Sequence, residues 1–579
     1  MKKRRLALIL AVSMVLAGCG GAAEPSGETT AEPVPEETKS EGEAAAEQAA
    51  EGSEAAAADP FGRYEEPVTF TVALEVDPNE VFPEGDSYTD NQYTRYIKEQ
   101  LNVDIEYLFT ASTSDWDTKV NLAITSNQIP DAMLVNATQF NQMYKAGQLA
   151  DMTDVYEMYA SDTMRAMVDS SEGLAVENAS YGGRMYGLTY TSDGDYELTW
   201  IRKDWLDKLG LEEPKTIEDL EAVARAFVEN DVSGKGTIGI AGPQSDGLLN
   251  ATFLNNGTNN YGFDSYFNGF GAYPGWWILG DDGKPVYGSI TGETRNALEK
   301  LAQWYAEGLI DPEMGIRQDA SEPISAGRVG IFSGGWWMGY ACLPDVIAND
   351  PEANFQAYAI PVLEESGKYE PHASGASPKY LVVSKDCEHP EIAVKLNNLL
   401  IRDESTFDTS KGGIGNFPCR TPMGMRDESI YTVKALREVL AGTKSVDDFT
   451  EEEFALYKLL ENDVNTIKKV KKEPYDSMDI DTWDVQTDPS SWARSYSIMV
   501  GWGALLDNEP KDIYSVIYSQ TETMEQRWAN LEKLENETFM KIIMGQEPIE
   551  AFDTFVENWK AQGGDIITEE VTEFYNSKQ

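Results

Sequence analysis

The sequence predicts an α/β fold in two lobes with a helical tail, and three observations carry that reading. Residues 68–135 alternate between short β-rich runs and segments whose apolar residues recur at helical spacing. About 520 residues remain once a polar N-terminal stretch is set aside, more than one hydrophobic core usually holds. Between Trp528 and Trp559 the apolar residues again lie along helical faces.

The chain opens with Lys2, Lys3, Arg4 and Arg5, followed by an apolar run from Leu6 to Ala17 broken only by Ser13. The run is shorter than the roughly 20 residues a spanning helix needs, so residues 1–19 read as a secretory signal peptide. Its end, Leu16-Ala17-Gly18-Cys19, looks like a bacterial lipobox. An ordinary signal peptide that happens to contain a cysteine is the plainer alternative. The position of Cys19 behind a complete signal favours lipidation, and a thioether lipid with N-acylation would anchor stably.

Residues 20–60 are acidic from Glu24 to Asp59, with Lys39 the one base, no aromatic residue and Val34 the one large aliphatic. Such a stretch cannot bury enough apolar surface to offset its ordering entropy. It reads as a disordered tether, extended by self-repulsion. The whole chain carries a formal charge of −53, which repels nucleic acid. It also disfavours a strongly anionic ligand unless a local Arg/Lys cluster overrides it, and makes neutral oligosaccharides the better guess. With Cys19 lipidated, Cys342, Cys387 and Cys419 remain, enough for one bridge or three free thiols. No later apolar run is long enough for a second membrane span.

Along the body, Val68 to Leu74 reads as a strand, and Tyr93, Ile97 and Leu101 as a helix. Residues 103–108 alternate as a strand. Trp116, Val120, Ala123 and Ile124 share a helix face, and Ala132 to Val135 is a short buried strand. In open α/β sheets ligands bind beyond the carboxyl ends of strands, which singles out the residues after Val135. A second lobe begins near Leu198. Gly210 is placed to end one helix, and Thr216 to cap the next with Asp219 as a near-miss of a capping box. Strands follow at 237–241, 329–332 and 380–384, with helices at 297–305 and 390–401. In the tail, Gly545 and Gly563-Gly564 end two helices.

Six segments resemble the extracellular solute-binding proteins of family 1, in the long lipoprotein branch that accompanies ABC sugar importers. They are DWDTKVNLAITSNQIPDAMLV (115–135), GGRMYGLTY (182–190), WIRKDWLDKLGLEEPKTIEDLEAVARAF (200–227), GRVGIFSGGWWM (327–338), SPKYLVVSKDCEHPEIAVKLNNLL (377–400) and residues 539–575. The resemblance implies the two-lobed type 2 periplasmic-binding-protein fold with discontinuous lobes. These are set at 61–190 plus 371–430 and at 191–370 plus 431–579. It implies a ligand held in the cleft, hinge closure, and an ABC permease that recognises the closed form.

Sugar pockets pair flat aromatic faces with planar amides and carboxylates. The expected ligand contacts are therefore Trp336 and Trp337, then Trp276, Trp277 and Trp502 in the other Trp-rich loops. Tyr190 and Trp200 flank the lobe crossing, and Asp131 and Asn136 bracket the short strand. For each the plainer alternative is packing inside a lobe. Arg202 and Asp204 read equally as an intrahelical pair. Residues 229–239 resemble a calcium loop in Asp231, Ser233 and Thr237, but Lys235 stands where an oxygen ligand belongs and no bidentate Glu closes the loop. No metal or cofactor is expected.

Rival functions remain open to test. The body holds only His372 and His389, and no G-x-S-x-G, H-E-x-x-H, Walker loop or complete G-x-G-x-x-G, so an enzyme is not expected. A glycosidase, needing only two spaced carboxylates, is the least favoured rival. A peptide receptor of the same fold and a surface glycan-capture protein without an importer share the binding chemistry.

Overall fold

The structure, a computed structural model, describes residues 59–578 apart from 78–79, 81, 172, 192–195, 246, 255–258, 374, 376, 378, 409–411, 427, 450–456 and 487–488. The expected signal peptide, Cys19 and all but the last two residues of the tether lie outside the described residues.

The main strands, in chain order, are β1 (Val68–Val76), β2 (Val103–Ser112), β3 (Ala132–Val135), β4 (Gly187–Thr189), β5 (Leu198–Arg202), β6 (Ile238–Ile240), β7 (Val329–Gly334), β8 (Phe355–Tyr358) and β9 (Tyr380–Val383). They form a five-stranded sheet ordered β2-β1-β3-β9-β4 and a four-stranded sheet ordered β8-β5-β7-β6. In the first, β1 runs parallel to β2 and β3, and β9 runs antiparallel to β3 and β4. In the second, β7 is parallel to β6 and antiparallel to β5.

Apart from the edge strand β2, whose Asp104, Glu106, Leu108 and Thr110 are exposed, both sheets are covered on both faces, which is why their central strands read as apolar runs. In β9, Leu381 and Val383 join one core cluster while Tyr380 and Val382 join another. In the second sheet Ile201 and Ile331 face one cluster, and Trp200 and Phe332 the other. This is the period-2 alternation of a strand. Each large apolar side chain so buried contributes about 1.5–3 kcal/mol.

The chain passes from the first sheet to the second between β4 and β5, and back between β8 and β9. It passes a third time after Met423, which packs with the first sheet, whereas Val433 packs with the second. The fold is thus two-lobed with discontinuous lobes. The tail helices Glu522–Ile543 and Ala551–Trp559 cover one face of the second sheet through Trp528, Leu531, Phe552 and Phe555. Helices between 428 and 507 cover the other.

Local signals act as their chemistry dictates. Gly210 ends its helix at φ 65°, the left-handed region glycine enters without penalty. Thr216 and Asp219 form a complete capping box, the shorter Asp doing the work of Glu. Cys342, Cys387 and Cys419 are all free thiols.

Glu535, buried in the tail helix, accepts hydrogen bonds from the Tyr287 and Ser289 hydroxyls, both at 2.8 Å. Burial, with the Glu532 charge adding to it, pushes its carboxyl up to about 7. A group whose pKa is higher folded than unfolded stabilises the fold below its unfolded value and loses that contribution as pH rises through its folded value. Stability should therefore fall between pH 5 and pH 8, this one carboxyl contributing on the order of 3 kcal/mol. Urea unfolding at the two pH values should show a smaller fall in Glu535→Gln than in the parent. An equal fall in both proteins would mean that Glu535 is already ionised when folded.

Candidate functional site

The carboxyl end of β3 opens onto a cavity that residues of the second lobe also line. Asn136, the first residue past β3, caps the helix Ala137–Lys145. Its Oδ1 accepts from the Gln139 N–H at 2.9 Å, and its own N–H donates to Gln139 Oε1 at 3.0 Å. The two amides also reach the helix before: Asn136 Nδ2 and Gln139 Nε2 each donate to Asp117 Oδ1 at 3.2 Å. Together with Asn121 they form one wall of a cavity of about 520 Å³, whose opposite wall carries Tyr518, Gln520 and Glu525 of the second lobe. The lining is rich in amides and hydroxyls, which can donate and accept at once.

A smaller cavity of about 270 Å³ lies at the end of β1, walled by Glu75, Trp116, Tyr190, Lys379 and Arg420. Lys379 Nζ pairs with Glu75 and sits 5.9 Å from the Trp116 ring centre. The Tyr190 N–H donates to Ser377 Oγ at 3.0 Å, and burial pushes its phenol upward.

In the second lobe β7 delivers Gly335, Trp336 and Trp337 to the end of its sheet. Trp336 and Trp337 are half-buried. Trp336 lies 4.6 Å from Trp502 and 5.8 Å from Tyr340, ring centre to ring centre, and meets Trp337 edge-on at 6.2 Å. Trp502 ends a π-helical turn, Ser497–Trp502, a widening of the helix frequent at functional sites. Gly501 in that turn is required by close approach: a Cβ there would sit 2.8 Å from the Cβ of Trp336. The turn and the Trp loop are thus fitted to each other, leaving an aromatic cluster partly open to solvent.

Four expected contacts are corrected. Trp200, Trp276 and Trp277 are at most 1% exposed. The Trp200 ring stacks on Phe332, and its indole N–H donates to Gly335 O at 3.3 Å. Trp276 donates to Ala251 O at 3.1 Å and stacks on His372. Trp277 packs against Tyr287 and Trp559 of the tail helices. The paired-Trp loop at 276–277 finds core partners in its own lobe, in His372 and in the tail. Asp131 stands at the start of β3, the wrong end for a ligand. Its Oδ2 accepts from the Thr71 N–H and hydroxyl at 2.8 and 2.7 Å, tying β1 to β3.

Arg202 forks onto Asp204 at 2.7 and 2.6 Å and also reaches Asp350, so that pair is structural. In the loop 229–239, Asp231 Oδ1 accepts from the Gly236 and Thr237 N–H groups and from the Thr237 hydroxyl. Lys235 Nζ donates away to Ala326 O. The loop oxygens are spent on the loop, and the residues do not fit calcium. Asp264, Glu197 and Glu535, whose carboxyls are pushed up by burial, line none of these cavities. Among the described residues no helix is long and apolar enough to cross a membrane.

Sequence reasoning missed Gln139, Lys379, Tyr518 and Gln520. No local signal marks them; strand order and lobe crossing bring Gln139, Tyr518 and Gln520 to one cavity and place Lys379 in the smaller one.

Comparison with known proteins fits this geometry. The chain is 22% identical over 493 residues to the lipoprotein LipO of Bacillus subtilis, covering 80% of this chain and 85% of that one. It is 27% identical over 229 residues to the fructooligosaccharide ABC transporter substrate-binding protein FusA of Streptococcus pneumoniae, covering 38% and 41%. Its fold matches an HMO-binding, ABC-transporter-associated solute-binding protein of Bifidobacterium longum infantis, with a TM-score of 0.56 at 16% identity over 88% of this chain and 99% of that one. The family model of bacterial extracellular solute-binding proteins matches residues 79–406, more than half of the chain, and the protein belongs to that family.

Proposed function

We propose that the protein is a lipid-anchored receptor of an ABC importer, which takes an oligosaccharide into the groove between its lobes and delivers it to a membrane permease. The observation that carries this reading is the cavity of about 520 Å³ walled by amides and hydroxyls from both lobes. Such groups can satisfy the many hydroxyls of a sugar, and the half-buried Trp336, Trp337 and Trp502 offer faces for its C–H surfaces. The names of the relatives point the same way: FusA is a fructooligosaccharide protein and LipO a lipoprotein.

In this reading the lobes are 61–190 with 371–430 and 191–370 with 431–579. Cys19 holds the tethered body at the extracellular face of the membrane. Ligand bound to both walls favours the closed arrangement, because only that arrangement lets both lobes touch it.

Thermal unfolding of the protein with a panel of neutral, acidic and amino oligosaccharides and short peptides tests the reading. A ligand at 100 times its Kd should add about 2.7 kcal/mol, with no product formed. Sugar hydrolysis would overturn the receptor, and a response to peptides alone would overturn the ligand class.

Two substitutions separate recognition from scaffold. Trp336→Ala should weaken the sugar by about 1 kcal/mol, roughly fivefold in Kd. Asp131→Ala should cost about 1–2 kcal/mol of stability by freeing the Thr71 donors while leaving affinity unchanged. Titration calorimetry and urea unfolding read the two effects. Lost affinity in Asp131→Ala at unchanged stability would return that residue to the site.

A further inference from the structure

A second cavity adjoins the polar one. It measures about 510 Å³ and shares Ala137 and Tyr518 with its neighbour. Its first-lobe wall carries Phe140, Tyr181 and Tyr380, and its second-lobe wall carries Tyr514, Phe574 and Tyr575. Phe140 and Tyr380 stack at 4.7 Å, and Tyr181 is held against Tyr144 at 3.7 Å, so that wall is rigid. Tyr518 is the partition. Its hydroxyl donates to Ala373 O at 3.0 Å and accepts from the Ser515 N–H at 2.9 Å, which fixes its ring between the two compartments.

Charge decides what such a compartment accepts. Among the described residues no Lys, Arg or His lines either cavity, so nothing there neutralises an anion. The carboxylates of Glu177 and Asp512 line the aromatic compartment, and the oxygens of Asp512 are engaged. Oδ1 accepts from the Tyr196 hydroxyl at 2.8 Å, and Oδ2 from Arg426 at 3.0 Å and the Tyr514 hydroxyl at 2.7 Å. Its charge is met by Arg426, so of the two carboxylates in that compartment this one is already paired. Aromatic faces with a few neutral polar atoms suit the apolar faces of uncharged sugar rings.

We infer that the aromatic compartment is a second subsite of the same groove, so that the ligand is an elongated neutral oligosaccharide whose far end passes Tyr518 and lies between Tyr181 and the Tyr575 wall. The inference rests on the oligosaccharide reading above and adds chain length to it. Because each compartment has one wall from each lobe, a ligand that fills both grips the closed arrangement at two places. A disaccharide confined to the polar compartment grips it at one.

Titration calorimetry with malto-, fructo- and xylo-oligosaccharides, from disaccharide to hexasaccharide, tests this on the protein and on Tyr575→Ala and Leu279→Ser. Tyr575 is half-buried and Leu279 is 46% exposed, and both line the aromatic compartment alone, so the two substitutions probe it independently and at little cost to folding. In the series that binds, the hexasaccharide should bind more tightly than the disaccharide, and each variant should cut that advantage by about tenfold. Affinity independent of chain length, or an advantage untouched by both variants, overturns the second subsite while the oligosaccharide reading stands. Binding of none of the three series overturns that reading as well.

Discussion

Apart from the edge strand β2, the strands of the two main sheets bury side chains on both faces, so each sheet needs two layers of cover and one chain must supply four. Residues 92–187 and 391–423 cover the first sheet. The helices of 428–507 and the tail helices cover the two faces of the second. No segment order without crossings gives this arrangement, because β9 belongs to the first sheet yet follows four strands of the second in sequence. The crossings tie the lobes together and bring residues 512–525 of the second lobe opposite the end of β3. The groove is therefore a by-product of how two doubly covered sheets are built from one chain.

The same constraint explains why some aromatic loops stay partly open to solvent and others are enclosed. The 276–277 loop lies under the tail, where Tyr287, Trp528 and Trp559 form a continuous aromatic layer. Any indole placed there is enclosed. The 334–337 loop lies at a strand end, where cover stops, and is supported from one side by the π-helical turn. Its rings are held firmly yet keep an open face. Support from behind with an open front is what a binding surface needs, since the ordering cost of the rings is met before a ligand arrives.

Much of this was legible in the sequence, and the failures have physical causes. Strand and helix positions up to Val135, the caps at Gly210 and Thr216, and the tail helices follow from periodicity and from residues with strong local preferences. Asn136 was singled out by the rule that ligands sit past strand ends, and Trp336 by a Gly-rich turn after an apolar strand. Asp131 was misplaced because a four-residue strand brings its two ends so close in sequence that bracketing it does not say which end faces the ligand. Trp276 and Trp277 were misplaced because their cover comes from distant segments, His372 on Trp276 and Ser515 and Trp559 on Trp277. Gln520 and Tyr518 carry no signal of their own, and only the third crossing of the chain brings them opposite Asn136.

Charge shows the same limit of composition as a guide to a site. With 99 acidic residues against 46 basic, the chain as a whole repels anions, and the average says nothing of the groove. There Asp117, Glu177, Asp512 and Glu525 line the two compartments with no base among the described lining residues, and Asp512 is engaged by Arg426 and two tyrosine hydroxyls. The excess charge sits on solvated faces, where salt screens it within about 10 Å. A neutral ligand then feels mainly hydrogen bonds and aromatic faces, whose strength depends little on ionic strength. For a receptor exposed to a medium of changing salt, that separation keeps capture independent of the field that keeps the protein soluble.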